Sequence, residues 1–239
     1  LKVDLQLEVD QGDLVYFGRV NIEGNVRTRD KVIRRELIAI EGDKYSSSAM
    51  EISKARVTQL GFFEDVKVTT RPTNVPHVVD VDVLVKEKST GTFQVGVGFS
   101  SLESFIGMAQ ISQNNFLGNG QMLALSAQLS TGSFARQLAS LQFFDPYFLD
   151  TRWSLGINAY ITDRYFRDVR RSATGISPSL GYNLTHDLHL SIGYTIEKIN
   201  ISSGAVSSSD FDPNLINLQR YGRQSSFNLR LTYDSRDNR

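Results

Sequence analysis

Thr92-Phe93-Gln94-Val95-Gly96-Val97-Gly98-Phe99-Ser100 sets Phe93, Val95, Val97 and Phe99 against Thr92, Gln94, Gly96, Gly98 and Ser100. Side chains of a strand point alternately to its two faces, so this run predicts a ribbon with one apolar and one polar side. The same period returns downstream. Residues 153–162 set Trp153, Leu155, Ile157, Ala159 and Ile161 against Ser154, Gly156, Asn158, Tyr160 and Thr162. Residues 188–196 and 226–234 repeat it, with Leu188, Leu190, Ile192, Tyr194 and Ile196, then Phe227, Leu229, Leu231 and Tyr233, on the apolar side. Fainter versions fall near 105–114, 121–130, 136–144 and 175–184. The sum is about eight strands, each close to the roughly nine to eleven residues with which a tilted strand crosses a bilayer.

Three features favour a membrane barrel over a soluble β-sandwich, which alternation alone also fits. The polar sides carry Gly, Ser, Asn, Gln and Thr rather than Lys and Glu, aromatics sit near strand ends, and the strands are long. The stretches 114–120 and 145–150 are short and turn-like, whereas 202–220 is long, polar and broken by Pro213. Short turns at one rim and long loops at the other are the expected arrangement. No run approaches the ~18 apolar residues of a membrane helix.

Composition narrows the function. Lys+Arg and Asp+Glu both total 26, giving zero net charge, and a phosphate-binding surface needs a cationic excess, so nucleic acid is not an expected partner. With no cysteine, thiolate chemistry and disulfides are excluded. His77, His186 and His189 are the histidines, and the last two lie across a turn rather than in a metal-binding helical pair. Asp234, Arg236 and Asp237 read as a rim ion network. The expectation is no cofactor, no metal and no enzymatic activity.

Residues 1–88 mix periods. Residues 1–9 alternate as a strand, so the chain, opening inside one, reads as a fragment of something longer. A second strand is predicted near 16–22. Thr28 then caps a helix bearing Val32, Ile33, Leu37 and Ile40, which stops before Gly42. Ser48-Ala49-Met50-Glu51 reads as a capping box opening a helix that presents Ile52, Ala55 and Leu60 and ends at Gly61. Strands near 63–70 and 78–86 follow, turned by Pro72, Asn74 and Pro76. The order is β-α-α-β-β.

Val20-Asn21-Ile22-Glu23-Gly24-Asn25, Val32-Ile33-Arg34-Arg35-Glu36-Leu37, Glu41-Gly42-Asp43, Leu60-Gly61-Phe62-Phe63 and Val81-Asp82-Val83 resemble the POTRA domain next to the barrel in the BamA family. Thr90-Gly91-Thr92-Phe93-Gln94-Val95-Gly96-Val97-Gly98 resembles that family's first barrel strand. Asn115-Phe116-Leu117-Gly118-Asn119-Gly120 and Asp145-Pro146-Tyr147-Phe148 resemble its periplasmic turns, and Tyr233-Asp234-Ser235-Arg236-Asp237 the end of a mid-barrel strand. The resemblance runs essentially end to end. It implies the end of a preceding POTRA domain over 1–13, an α+β POTRA domain over 14–88, and an antiparallel transmembrane β-barrel segment over 89–239 holding about eight of sixteen strands. The family's Val-Arg-Gly-Phe/Tyr loop motif and closing aromatic strand do not occur within the sequence.

What the resemblance implies for function is insertion of β-barrel proteins into a bacterial outer membrane, with the POTRA domain in the periplasm. The implied partners are unfolded outer-membrane proteins, accessory assembly lipoproteins and the lipid bilayer. The first barrel strand, Gly91, Thr92, Phe93, Gln94, Val95, Gly96, Val97 and Gly98, is expected to pair with client strands. Its glycines weaken the strand so that it guides and releases, or else only relieve crowding. A POTRA edge at Val66, Lys67, Val68, Thr69 and Thr70 is expected to add an extended segment. Arg34 and Glu41, about two helical turns apart, are expected on one helix face. The resemblance places their counterparts on a surface that docks an assembly lipoprotein, and an ordinary solvated face is the alternative reading. Two further readings stay open: a two-partner secretion transporter, and a passive channel or structural barrel with a binding module.

Overall fold

The computed structural model describes residues 13–166, 169–185, 187–203 and 221–235. The run at 1–9, the connection over 204–220, His186, Arg236 and Asp237 lie outside the described residues. The chain divides into two units, Leu1–Ser89 and Thr90–Arg239. Among the described residues no helix is long and apolar enough to cross a membrane, which says nothing of strands.

The first unit runs β1 (Tyr16–Glu23), α1 (Asp30–Arg34), α2 (Ser47–Gln59), β2 (Phe63–Pro72) and β3 (Val78–Glu87). Its three-stranded sheet has the order β1-β3-β2, with β1 parallel and β2 antiparallel to the central strand. The parallel pair needs a long crossover, which the two helices supply. On β3, Val81, Val83 and Val85 alternate onto the inner face, where they meet Phe17, Val32, Ile33, Val57, Phe63 and Val66. Each such side chain contributes about 1.5–3 kcal/mol by leaving water.

The helices depart from the sequence reading in three ways. The first is much shorter than its apolar period implied. Beyond Arg34 the chain tightens, Glu36 N–H bonding the Ile33 carbonyl at 3.0 Å and Leu37 N–H the Arg34 carbonyl at 3.2 Å. The Ser53 hydroxyl then accepts from Ile38 N–H at 2.9 Å and Ala39 N–H at 3.3 Å, and donates to the Ala49 carbonyl at 2.7 Å. Backbone donors that a continuing helix would use are thereby taken by a neighbouring helix, and Ile40 is left 60% exposed.

The second departure concerns caps. Arg29, not Thr28, precedes α1, and it makes no side-chain cap. Ser46, not Ser48, caps α2, its Oγ accepting from Ala49 N–H at 3.3 Å. Three consecutive serines leave the start of that helix ambiguous in sequence. The third departure concerns the buried face: α2 buries Met50, Ser53 and Val57, while Ile52 is 46% exposed and Ala55 is also exposed. Gly61 ends the helix as expected, at φ 73°.

The second unit is an eight-stranded antiparallel meander: β4 (Gly91–Ser100), β5 (Ser104–Phe116), β6 (Gln121–Ser130), β7 (Arg136–Asp145), β8 (Trp153–Phe166), β9 (Val169–Asn183), β10 (Leu188–Ser203) and β11 (Tyr221–Tyr233). Each predicted alternating run lies on one of these strands. The register aligns Phe93, Ile111, Leu125, Leu141, Ala159, Ile176 and Ile196 as one row across seven strands. One residue along, Gln94, Gln110, Ser126, Ser140, Tyr160, Gly175, Glu197 and Gln224 align on the other face. The sheet therefore has a continuous apolar face and a continuous polar one.

The short connections expected at 114–120 and 145–150 are present, the long one at 202–220 falls mostly outside the described residues, and the other described links do not alternate in length. The links at 101–103 and 131–135 are as tight as that at 117–120. Residues beyond the predicted alternating runs instead lengthen β8, β9 and β10 to 14, 15 and 16 residues. A hairpin that keeps pairing satisfies its own backbone groups, which a loop must leave to water. Pro178 sits within β9, and the ladder to β10 skips from Ser179–Gly193 to Ile176–Ile196 around its missing N–H.

Candidate functional site

The strand with which the sequence reading began, β4, lies at one edge of the eight-stranded sheet, with β11 at the other. Asn114 N–H donates to the Thr90 carbonyl at 3.0 Å, which fixes the phase of the β4–β5 ladder. Opposed residues in antiparallel pairs alternate between bonded and non-bonded sites. Thr92–Ser112, Gln94–Gln110, Gly96–Met108 and Gly98–Ile106 are then the bonded pairs. The N–H and C=O groups of Phe93, Val95 and Val97 point the opposite way, to the free edge. Their side chains also form the apolar face, and Val97 is 89% exposed. One set of residues therefore supplies both the open hydrogen-bonding edge and the apolar surface beside it.

The expected glycine role separates by position. A Cβ on Gly96 would come within 2.9 Å of Met108 Cγ, and one on Gly91 within 2.7 Å of Gln113 Oε1, so relief of crowding is real at both. A Cβ on Gly98 would meet nothing within 4 Å. At that position crowding explains nothing, and the remaining effect of glycine is on backbone entropy and strand strength.

The polar face is knitted by side chains. Thr92 and Ser112 hydroxyls are 2.6 Å apart, those of Ser126 and Ser140 2.7 Å, and Tyr160 Oη donates to Glu197 Oε2 at 2.9 Å. Arg171 adds an ion pair to Glu197 at 3.5 Å. On the apolar face a shallow hollow of about 650 Å³ opens where Ala109, Ala127 and Ala139 lie among Ile111, Leu125 and Leu141. The rim carrying the two predicted turns is built by local bonds. Asn115 Oδ1 accepts from Gly120 N–H at 2.8 Å, and the buried Asp145 accepts from Tyr147 N–H at 3.0 Å and from Gln121 Nε2 at 2.7 Å.

In the first unit the two edges of the sheet differ. The outer edge of β1 is occupied: Phe17 N–H bonds the Asp43 carbonyl at 2.9 Å, Gly42 N–H the Phe17 carbonyl at 2.8 Å, and Tyr45 N–H the Val15 carbonyl at 2.8 Å. Arg34 and Glu41 complete this cover. Glu41 Oε1 accepts from Val20 N–H at 3.1 Å, and Arg34 Nη2 donates to the Val20 carbonyl at 3.2 Å. The two side chains are 3.7 Å apart. They meet because the chain turns back after a short helix, not because a helix face carries both, and Glu41 is not helical. Arg34 also bonds Asp30 Oδ1 at 2.8 Å, which raises the guanidinium pKa further.

Among the described residues the other edge, β2, has no strand on its outer side. Along it Val66 is buried in the core and Val68 packs against it, while Lys67, Thr69 and Thr70 face solvent. Charges flank this edge, with Lys67 paired to Asp65 at 3.7 Å and Lys86 to Glu64 at 2.8 Å. Edge charges of this kind discourage indiscriminate pairing. A residue the sequence reading passed over is Glu87. Its carboxylate accepts from Arg27 N–H at 3.0 Å and from Thr28 N–H at 2.6 Å. Burial opposes its ionisation, but bonds from Thr28 and Arg27 outweigh that and hold its pKa below the usual carboxylate value.

Comparison with known proteins agrees with this division. The Omp85 superfamily domain matches residues 115–239, and the surface antigen variable number repeat, or POTRA, matches residues 15–88. The outer membrane protein assembly factor BamA of Neisseria meningitidis serogroup B is 35% identical over 175 residues, covering 73% of this chain and 21% of that protein. The chain thus spans about a fifth of that relative's length. The crystal structure of BamA from Haemophilus ducreyi lacking POTRA domains 1–3 superposes with a TM-score of 0.69 at 27% identity, over 96% of this chain and 46% of that one. CdiB from Acinetobacter baumannii superposes with a TM-score of 0.60 over 93% of this chain and 44% of that one, and at 13% identity that likeness concerns the fold alone.

Proposed function

From the premise that the chain belongs to the Omp85 superfamily, we propose that it acts in assembling β-barrel proteins into a bacterial outer membrane. In this reading the second unit spans the bilayer with the apolar row of Phe93, Ile111, Leu125 and Leu141 against lipid, and the first unit stands in the periplasm. Unfolded outer-membrane proteins are the clients. The observation that carries the proposal is the free edge of β4, where backbone groups of Phe93, Val95 and Val97 point away from β5 beside a fully apolar surface.

The physical logic is the cost of bare backbone in hydrocarbon, several kcal/mol for each unsatisfied polar group. A client strand entering the bilayer lowers that cost by pairing with β4 as it arrives, which is strand addition. Gly98 keeps the pairing weak enough to reverse. The 35% identity to an assembly factor supports this reading over secretion of an unfolded chain. A passive channel would give a steady open conductance, and an assembly factor a flickering one.

Prolines distinguish the free edge from the rest of β4. Val95→Pro with Val97→Pro removes two outward donors and leaves the bonded pairs with β5. We expect client assembly to be lost while the protein itself stays folded, judged by heat-modifiable migration in detergent. Gln94→Pro with Gly96→Pro should lose assembly too, but by breaking the ladder to β5. Normal client assembly in the Val95/Val97 variant refutes strand templating. The proposal extends to the first unit, where β2, from Val66 to Thr70, is the edge open to an extended segment. Arg34 and Glu41 are a proposed docking point for an accessory lipoprotein, since both side chains remain about half exposed. Reversal of charge at Glu41 that leaves accessory proteins co-purifying rules out docking there.

A further inference from the structure

The apolar face of the second unit ends in a cluster of cations that assembly of barrels does not require. By alternation, Arg170, Lys198 and Arg223 are the cations of that face among the described strand residues. Lys198 and Arg223 share one row at a margin of the apolar band, and Arg170 on β9 pairs with Ser202, four residues further along β10. The opposite margin carries Trp153, Tyr182 and Tyr233 instead, with the Trp153 and Tyr182 rings 4.8 Å apart. Such aromatic girdles mark a bilayer interface without selecting headgroup charge.

The cations are not equivalent. Arg170 is committed to Asp163, at 3.1 Å, and lies 5.0 Å over the Tyr165 ring. Asp163 also accepts from the Ser172 hydroxyl. Lys198 and Arg223 stand directly opposite one another across β10 and β11. Neither has a carboxylate partner among the described residues, and both are exposed. Like charges directly opposed across a sheet are destabilising, so this pair gains from an anion placed between them. Glu197 cannot serve, because it faces the polar side and is held by Tyr160 and Arg171.

The surroundings specify the anion's chemistry. Thr174 opposes Lys198 from β9, offering a hydroxyl donor level with both cations. Ile161 lies in that same row on β8, and two residues further into the band lie Ile176 and Ile196, each of the three about half exposed. Cations plus a hydroxyl above an apolar shelf match a phosphate group carrying acyl chains. We infer that Lys198 and Arg223 bind the headgroup of an anionic, phosphate-bearing lipid whose chains lie along Ile176 and Ile196. The inference rests on the membrane-spanning reading of the second unit. It makes one leaflet, the one beside Lys198, the charged one.

The test uses the intact protein in zwitterionic detergent micelles, with lipid adducts read by native mass spectrometry. Phosphatidic acid is expected to bind the unaltered protein, and diacylglycerol, which lacks the phosphate, is not. Inorganic phosphate at equal concentration should neither bind nor displace the lipid. Lys198→Ala with Arg223→Ala should weaken phosphatidic acid binding roughly tenfold or more, as two cations lost from a charged bilayer surface would. Lys198→Arg with Arg223→Lys should retain it, which a failure to fold would not. Equal binding by the alanine variant overturns the inference, and so does displacement of the lipid by inorganic phosphate. Insertion into phosphatidylcholine vesicles is measured in parallel. A protein that inserts but shows no phosphatidic acid preference refutes the lipid site alone, whereas one that never inserts refutes the membrane reading.

Discussion

The two sheets of this chain use one alternating code in opposite ways. On β3, Val81, Val83 and Val85 alternate into a core, and Val83 is wholly buried. On β4, Phe93, Val95 and Val97 alternate just as regularly and are among the most exposed residues of the chain. The difference lies in what covers the apolar face: helices for the first sheet, and, in the proposed reading, lipid for the second. Their edges differ in the same sense. The outer edge of β1 is filled by Arg34, Glu41 and the chain around Gly42, whereas that of β4 carries no strand among the described residues.

The largest effect that would test this contrast comes from equal truncations on the two sheets' apolar sides. Ile33 is fully buried, so Ile33→Ala should cost about 2–5 kcal/mol, the range for emptying a packed core. Leu125→Ala removes a side chain that is half exposed and leaves no closed cavity, so its cost should fall well below that range. Urea unfolding followed by probes in each unit gives both values. Equal losses would mean that the second sheet is covered by protein rather than lipid. Next in size is Ser53→Ala. It leaves the Ile38 and Ala39 amides without their acceptor, at about 1–3 kcal/mol for buried donors. Its effect should appear in the first unit alone.

Ser53 also marks the limit of what was legible beforehand. Strand positions and faces in both sheets follow from a period of two, and each strand announces that period in its own residues. Helix limits in the first unit do not, because a hydroxyl on α2 decides where α1 stops. The spacing of Arg34 and Glu41 implies a shared helix face, whereas a turn after the short helix brings them together. The free-edge phase of β4 was hidden altogether, since one bond, Asn114 to Thr90, sets it and no spacing reveals it. Strand lengths were only partly legible, because residues beyond the alternating runs continue the ladders of β8 to β10.

A third test is the pH response of the first unit. Glu87 has a folded-state pKa below its ordinary 4.5. A depressed carboxylate contributes stability that is present above the unfolded value and lost as pH falls through the folded one. Acid unfolding of the first unit should therefore steepen below 4.5, and Glu87→Gln should flatten that part of the curve. The variant should be less stable at neutral pH by about 1–2 kcal/mol, the size of hydrogen bonds to a charged acceptor. No comparable response is expected from β4, which has no ionisable side chain between Gly91 and Ser100.

The smallest expected effect bears most directly on how β4 works. Replacing Gly98 by alanine introduces no contact within 4 Å, so the substitution acts almost solely by narrowing the backbone conformations of the strand. Glycine in a strand interior costs roughly 0.5–1 kcal/mol, and Gly98→Ala should stabilise β4 by about that much. If β4 must both pair and let go, a stronger strand releases its client more slowly. Client assembly should then fall a few-fold even though the protein itself becomes more stable. Gly96→Ala is the internal contrast, because there the new Cβ must displace the Met108 side chain, and stability and activity should fall together. A Gly98→Ala protein that is more stable and equally fast would leave the free edge as a template but show that its weakness has no part in the reaction.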